Sequence, residues 1–285
     1  MKECRYYEKE KNLDIKCILC PRKCLIKNNF RGYCKSRFNI EGILYTENEF
    51  LSSLAMDPIE KKPLFHFFQG SKILSAGASG CNFHCDFCQN WEISQYENKN
   101  VIKLSPRELA EKAIELVSMG NIGVAYTYSE PIVMIEYVLE TAEIIKEKGL
   151  KNIFISNGYI EKSPLFELLE YMDAFNIDVK AFSRGCYLKN FSADFNIIKR
   201  NLEYIKEKNK HLEISCLIVP GINDKIEEGK TFFKWLSELD EGIPVHLNRY
   251  FPCYKSEVKA TDVEVLMAMK EIAEKYMKYV YIGNL

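Results

Sequence analysis

Three cysteines within eight residues carry the chemistry of this sequence. They stand in the run Cys81-Asn82-Phe83-His84-Cys85-Asp86-Phe87-Cys88, with three residues and then two between them. Cysteine thiolates are the usual ligands of a [4Fe-4S] cluster, and a cluster that only passes electrons takes four of them. Three thiolates leave the fourth iron without a protein ligand, so this spacing points to chemistry at the cluster. Two other readings compete. Tetrahedral zinc takes a fourth ligand and His84 lies inside the loop, but zinc sites favour closely spaced pairs separated by longer gaps. A disulfide loop leaves one of the three unpaired, and nothing in the chain marks secretion.

A second set lies near the start. Cys17, Cys20, Cys24 and Cys34 are separated by two, three and nine residues, with Pro21 and Gly32 as turn formers. Four cysteines so arranged are able to wrap one metal. Four-cysteine ligation suits structural zinc and an iron-sulfur cluster alike, and four buried free thiols are the structural alternative. Cys4 falls outside the spacing. Cys186, Cys216 and Cys253 are isolated and read as ordinary apolar or free thiols.

Thiols held at fixed spacing need a rigid frame. From Lys72 the chain alternates between strand-like runs, at 73–77, 122–126, 152–156, 174–179, 212–219 and 245–250, and helical periods. The helices are expected from 106 to about 119 and over 132–148, 164–171, 195–208, 225–239 and 262–276. Ser105-Pro106-Arg107-Glu108 forms a capping box with proline at the first helical position, and Gly120 and Gly149 read as C-terminal stops. Six βα units imply a parallel sheet with right-handed crossovers, coiled into an open partial TIM-like (β/α)6 barrel. Functional groups then belong at the carboxyl ends of the strands.

Cys81 follows the first of these strands. Glu130 follows the second, where its ordinary role is a first-turn glutamate favoured by the helix dipole. Asn157 follows the third. Asp178 and Lys180 flank Val179 at the end of the fourth and project to one side, able to pair with each other or to hold polar groups of a ligand. His246 and Arg249, on the sixth, are equally balanced between framework and site. Residues 38–70 read as a connector with one or two short strands, extended by Pro58 and Pro63, with His66 as a hydrogen-bonded core histidine. The expected division is a cysteine-rich metal-binding module and connector over 1–70 and the partial barrel over 71–285.

With Ser75-Ala76-Gly77-Ala78-Ser79-Gly80 before it and Gln89-Asn90-Trp91-Glu92-Ile93-Ser94 after it, the cysteine block resembles the CxxxCxxC motif of radical S-adenosylmethionine (SAM) enzymes. Nearly the whole chain is similar to the radical SAM member of the AmmeMemoRadiSam system, a relative of the pyruvate formate-lyase activating enzymes. The resemblance implies that Cys81, Cys85 and Cys88 hold a catalytic [4Fe-4S] cluster whose fourth iron is chelated by SAM. An electron from flavodoxin or ferredoxin would cleave SAM to a 5′-deoxyadenosyl radical. Phe87, Ser129, Glu130, Asn157, Asp178 and Lys180 are the implied SAM contacts.

Three features depart from the family's pattern or fit it loosely. Tyr128-Ser129-Glu130-Pro131 stands where relatives carry GGEP, so both glycines are replaced, and Phe251 stands where activases often place a histidine. Pro220-Gly221-Ile222-Asn223-Asp224 is the turn where relatives place the adenine. Relatives also tend to continue past Gly283-Asn284, which implies wider substrate access here or completion by a partner. Similarity to the activases suggests a glycine Cα in a partner protein as substrate. A small molecule, another peptide or RNA is the alternative, and a non-catalytic iron-sulfur electron-transfer protein is the competing class.

Composition bounds these readings. The 285 residues carry 47% hydrophobic content, enough for one large α/β domain and a small appendage. A net charge of −1 argues against bulk nucleic-acid binding, although residues 1–38 hold eleven Lys and Arg against four Asp and Glu, so a local anionic partner fits the basic module. No apolar run reaches the roughly 18 residues of a membrane span, and no signal-peptide pattern opens the chain. A cytoplasmic protein is expected, and its oxygen-sensitive cluster suggests an anaerobic setting.

Overall fold

Parallel strands buried on both faces read as continuous apolar runs, and such runs build the centre of this molecule. A computed structural model describes residues 1–47, 49–96 and 101–285. The main sheet contains β1 (Phe50–Pro58), β2 (Lys72–Ala78), β3 (Asn121–Tyr126), β4 (Lys151–Ser156), β5 (Ala174–Asp178), β6 (His211–Ile218), β7 (Val245–Arg249) and β8 (Val280–Gly283). They lie side by side in chain order, with the short strand Ile102–Lys103 beyond β1. Strands β2 to β8 run parallel, and β1 is antiparallel to β2, pairing Leu54 with Ala76 and Met56 with Leu74.

Helices α1 (Pro106–Glu115), α2 (Ile135–Glu147), α3 (Lys162–Tyr171), α4 (Arg184–Phe191), α5 (Phe195–Glu207), α6 (Ile226–Asp240) and α7 (Val263–Ala273) connect the parallel strands. The Ser105 side chain accepts from the Glu108 N–H while the Glu108 carboxylate accepts from the Ser105 N–H, and Gly120 ends the following 3-10 turn at φ 90°. One strand face, with Leu74, Ala76, Val124 and Phe154, packs against helical residues such as Leu109, Val138 and Leu168. The opposite face turns inward, where Ile73, Ala125, Ile153 and Ala174 meet Ile59 and Leu64. This is the open partial barrel. Two strands extend the expected set. Residues 38–70, read as a connector, contribute β1 along the full length of β2, and the terminal Tyr281-Ile282-Gly283 run adds β8.

Residues 59–68 cross the amino ends of the strands and close the barrel there as a floor. Buried Glu213 accepts the N–H groups of Phe65 (3.0 Å) and His66 (2.8 Å) and also bonds His246 Nε2 at 2.6 Å. Asn176 Nδ2 donates to the Pro63 carbonyl at 2.7 Å, and His66 Nε2 pairs with the Tyr281 hydroxyl at 2.7 Å. Both histidines are therefore framework. His66 is hydrogen-bonded as expected, but it lies exposed between Tyr279 and Tyr281 rather than in the core.

The first 47 residues form two small three-stranded antiparallel sheets, Lys2–Glu3, Arg37–Ile40 and Ile43–Thr46 in one and Tyr7–Lys9, Ile15–Cys17 and Leu25–Ile26 in the other. They grip α2 through a buried ion pair, Arg37 to Glu136 at 2.5 Å, with both side chains at most 1% exposed. Among the described residues no helix is long and apolar enough to cross a membrane.

Candidate active site

The loop after β2 begins at Gly80, which lies at φ 104° where a Cβ would stand 2.0 Å from Ser36 Oγ and 2.5 Å from the Cys34 carbonyl. Only glycine allows the amino-terminal module to press this closely on the loop. The module then holds the loop by its backbone. Ser36 Oγ donates to Ser79 O at 2.5 Å and Arg22 Nε to Asn82 O at 2.8 Å. The Arg22 guanidinium lies 4.1 Å from the Tyr33 ring centroid, and Tyr33 stacks on His84 at 4.0 Å. His84 thus packs on a ring, and its buried Nε2 has no protein partner.

Cys81, Cys85 and Cys88 line one open cavity of ≈ 550 Å³ at the carboxyl ends of the strands. Phe87, Ser129, Glu130, Asn157, Asp178 and Lys180 line the same cavity. The six come from the cluster loop and the ends of three further strands, so the fold gathers residues spread over a hundred positions. Burial pushes the Cys85 thiol up to about 12 and the Cys81 thiol well above its usual range, the latter with help from the Glu130 charge. Thiolates here need a positive counterpart. Lys180 opposes the rise at Cys85, and the Phe83 N–H points at Cys81 Sγ from 3.3 Å.

The donor set fits an iron-sulfur cube. Three soft thiols face one cavity beside the apolar Phe83 and Phe87, and an N–H supports one sulfur, which is the setting that stabilises cluster thiolates. Among the described residues no three His, Cys, Asp or Glu side chains converge as ligands of a single ion. A cube accepts its thiolates at separate irons and so requires no such convergence.

Glu130 is 3% exposed and accepts from Ser156 Oγ (2.7 Å), Asn157 N (2.9 Å) and Ile132 N (3.2 Å). Burial pushes its carboxyl up to about 7 against the pull of these bonds and of Lys180. It caps the turn at 131–134 and ties β3 to β4, so the cap and the cavity position coexist in one side chain. Asn157 Nδ2 donates to Asn82 Oδ1 at 2.7 Å and lies 3.9 Å from Cys81 Sγ, bracing the loop from the far side. Lys180 Nζ and Asp178 Oδ2 pair at 2.5 Å. Burial works against the Lys180 charge, but Asp178 and the thiols of Cys85 and Cys88 raise its pKa well above the ordinary lysine range. Ser129 Oγ donates to the Ala78 carbonyl.

Several sequence candidates lie elsewhere. Arg249 donates to the Thr261 carbonyl at 2.8 Å and stacks over Phe251 at 5.0 Å. His246 belongs to the floor. Asn223 bridges the turn after β6 to the Lys180 carbonyl at 3.2 Å. Tyr128, expected only as the replacement for the first glycine of the GGEP pattern, has a structural role. It takes φ 68°, the left-handed conformation natural to the glycine it replaces, and its hydroxyl reaches Asp57 Oδ2 at 2.5 Å. Asp57 also binds Lys61 (2.8 Å) and Lys62 (2.7 Å), and the Lys62 ammonium lies 4.3 Å from the Tyr128 ring centroid.

Cys17, Cys20, Cys24 and Cys34 surround a separate small pocket of ≈ 20 Å³ beside Arg37, with buried Cys4 nearby. Burial raises Cys20 to about 12 and Cys34 to about 11.

The sequence pattern of the Radical SAM superfamily matches residues 77–232. The chain belongs to the radical SAM superfamily. An uncharacterized protein of Methanocaldococcus jannaschii is 40% identical over 290 residues, covering 100% of this chain and 85% of that protein. The 7-carboxy-7-deazaguanine synthase of the same organism is 24% identical over 221 residues, 73% of this chain and 87% of the synthase. The 4-hydroxyphenylacetate decarboxylase activating enzyme of Clostridium scatologenes is 20% identical over 163 residues, 54% of this chain and 52% of that enzyme. Streptococcus suis SuiB bound to S-adenosylmethionine shares the radical SAM fold, with a TM-score of 0.59 at 15% identity over 75% of this chain and 52% of SuiB.

Proposed function

We propose that this radical SAM protein is an enzyme that generates a 5′-deoxyadenosyl radical and abstracts hydrogen from a substrate in the cavity. A [4Fe-4S] cluster on Cys81, Cys85 and Cys88, reduced by flavodoxin or ferredoxin, supplies the electron for reductive cleavage of SAM. The chain's own residues bind, orient and exclude water. Ser129 and Glu130 receive the SAM ammonium, the Asp178–Lys180 pair and Asn157 hold its remaining polar groups, and Phe87 gives an apolar wall. The observation that carries the reading is the grouping of three thiols with Glu130, Asp178 and Lys180 around one cavity. A pure electron carrier has no use for that polar set.

Two finer readings of the substrate follow the relatives. The likeness to an activating enzyme favours a glycine Cα in a partner protein, and the likeness to 7-carboxy-7-deazaguanine synthase favours a small molecule. The four amino-terminal cysteines, around one pocket against the loop, are proposed to hold a second metal, an iron-sulfur cluster on separate irons or a zinc ion on which the thiols would have to close in.

The test is anaerobic. Protein reconstituted with iron and sulfide is reduced with dithionite, given SAM, and assayed for 5′-deoxyadenosine by chromatography. Product is expected from the wild type and not from Cys81→Ala, Cys85→Ala or Cys88→Ala. A fully loaded wild type that forms none, with or without a physiological reductant, would point to electron transfer instead.

A further inference from the structure

The cavity reaches from the cysteine loop to the floor. Its thiols follow the carboxyl end of β2, whereas Lys61, Lys62 and Pro63 line it from the floor at the amino ends of the strands. Between these ends the lining includes Asn176 on β5, Ser215 on β6 and Asn248 on β7. Asn176 is 1% exposed and Ser215 is 7% exposed, yet Asn176 Oδ1 and Ser215 Oγ have no hydrogen-bond partner in the protein. A buried polar atom left unpaired costs about 1–3 kcal/mol, and both of these belong to residues that line the cavity.

The floor end also has a definite charge. Asp57 is a single carboxylate between two lysines, the largely exposed Lys61 at 2.8 Å and the buried Lys62 at 2.7 Å, and it opposes the lowering of the Lys62 pKa that burial causes. Lys62 is 3% exposed, and beyond Asp57 its ammonium faces the Tyr128 ring, so donors of that group remain for an anion. Tyr128 is held in a left-handed conformation that a bulky residue rarely adopts, with its hydroxyl committed to Asp57. Ring and ion pair together shape the closed end.

Resting on the reading that radical chemistry occurs at Cys81, Cys85 and Cys88, we propose that the deep half of the cavity recognises a small substrate bearing a carboxylate. Lys62 and Lys61 take the carboxylate, and Asn176 Oδ1 and Ser215 Oγ take a neighbouring N–H or O–H. The substrate's C–H bonds then lie between this anchor and the thiol end, where the radical forms. A glycine loop of a folded protein, entering from the carboxyl ends, gains nothing from a cationic floor sealed by residues 59–68. The inference therefore selects the small-molecule reading.

Isothermal titration under anaerobic conditions tests it, with reconstituted, SAM-loaded protein and two probes of the same size, N-acetylglycine and N-acetylglycinamide. Both carry an N–H and a methylene, and only the first is an anion. The acid is expected to bind about tenfold tighter or more, as loss of a charge-assisted hydrogen bond implies. Lys62→Met should erase that preference. Ser215→Ala removes an atom with no protein partner, so the fold is not strained, and it should weaken both probes roughly threefold. Equal binding of the two probes, no binding of either, or an intact preference in Lys62→Met overturns the proposal. Deoxyadenosine is measured on the same preparation. Its absence beside an intact acid preference sinks the radical reading alone, and its presence without the preference sinks this one alone.

Discussion

Asp178 and Lys180 show what two residues in a strand end are able to do. Paired at 2.5 Å, they keep a positive charge beside Cys85 that isolated burial would discharge. Asp178→Asn removes the negative charge that holds the ammonium in place. The SAM Kd measured by equilibrium dialysis should rise about tenfold, the scale of one charge-assisted hydrogen bond, while a urea unfolding curve moves little, because the pair is partly exposed. The spacing of Asp178 and Lys180 was legible in the sequence because residues two apart on a strand face the same way. Cys81, Cys85 and Cys88 were legible because few chemistries use that spacing. Asn176 and Ser215 were not. A lone polar residue inside a strand carries no spacing signal, and whether it faces the helices or the cavity depends on a register that sequence leaves open.

Element by element, local rules decided most. The capping box at Ser105 was readable as four residues and is present atom by atom, and Ser105→Ala should cost about 1 kcal/mol in urea denaturation. Gly80 was passed over, because a glycine before a loop is unremarkable until the opposite surface is known. Gly80→Ala forces a Cβ against Ser36 and the Cys34 carbonyl in a left-handed backbone, and should cost about 1–3 kcal/mol and lower iron per chain in metal analysis. Strand β8 escaped notice because it is four residues long and half-exposed throughout, which removes the burial pattern that marks a strand. Strand β1 escaped because Ser52, Ser53 and Asp57 interrupt its apolar run, and its pairing with β2 is a tertiary fact. The Arg37–Glu136 pair holds the amino-terminal sheets to α2, and Glu136→Ala strands a buried guanidinium. A loss of about 3–5 kcal/mol is expected.

For the molecule as a whole, Glu213 is the keystone of the floor. Burial alone would raise its pKa, but bonds from His211, His246 and the N–H groups of His66 and Phe65 outweigh burial and hold it down to about 2. A depressed carboxylate lends stability that is fully present above its ordinary value near 4.5 and is lost as pH falls towards 2. Glu213→Gln should therefore cost roughly 2 kcal/mol at pH 7, and urea curves of variant and wild type should converge by about pH 2. The barrel class was legible in the alternation of strand and helix, whereas the floor was not, since no periodicity announces which loop crosses a barrel's end. Its contacts join residues 148 and 215 positions apart, Phe65 to Glu213 and His66 to Tyr281. The floor is therefore closed only when strands far apart in the chain have already paired.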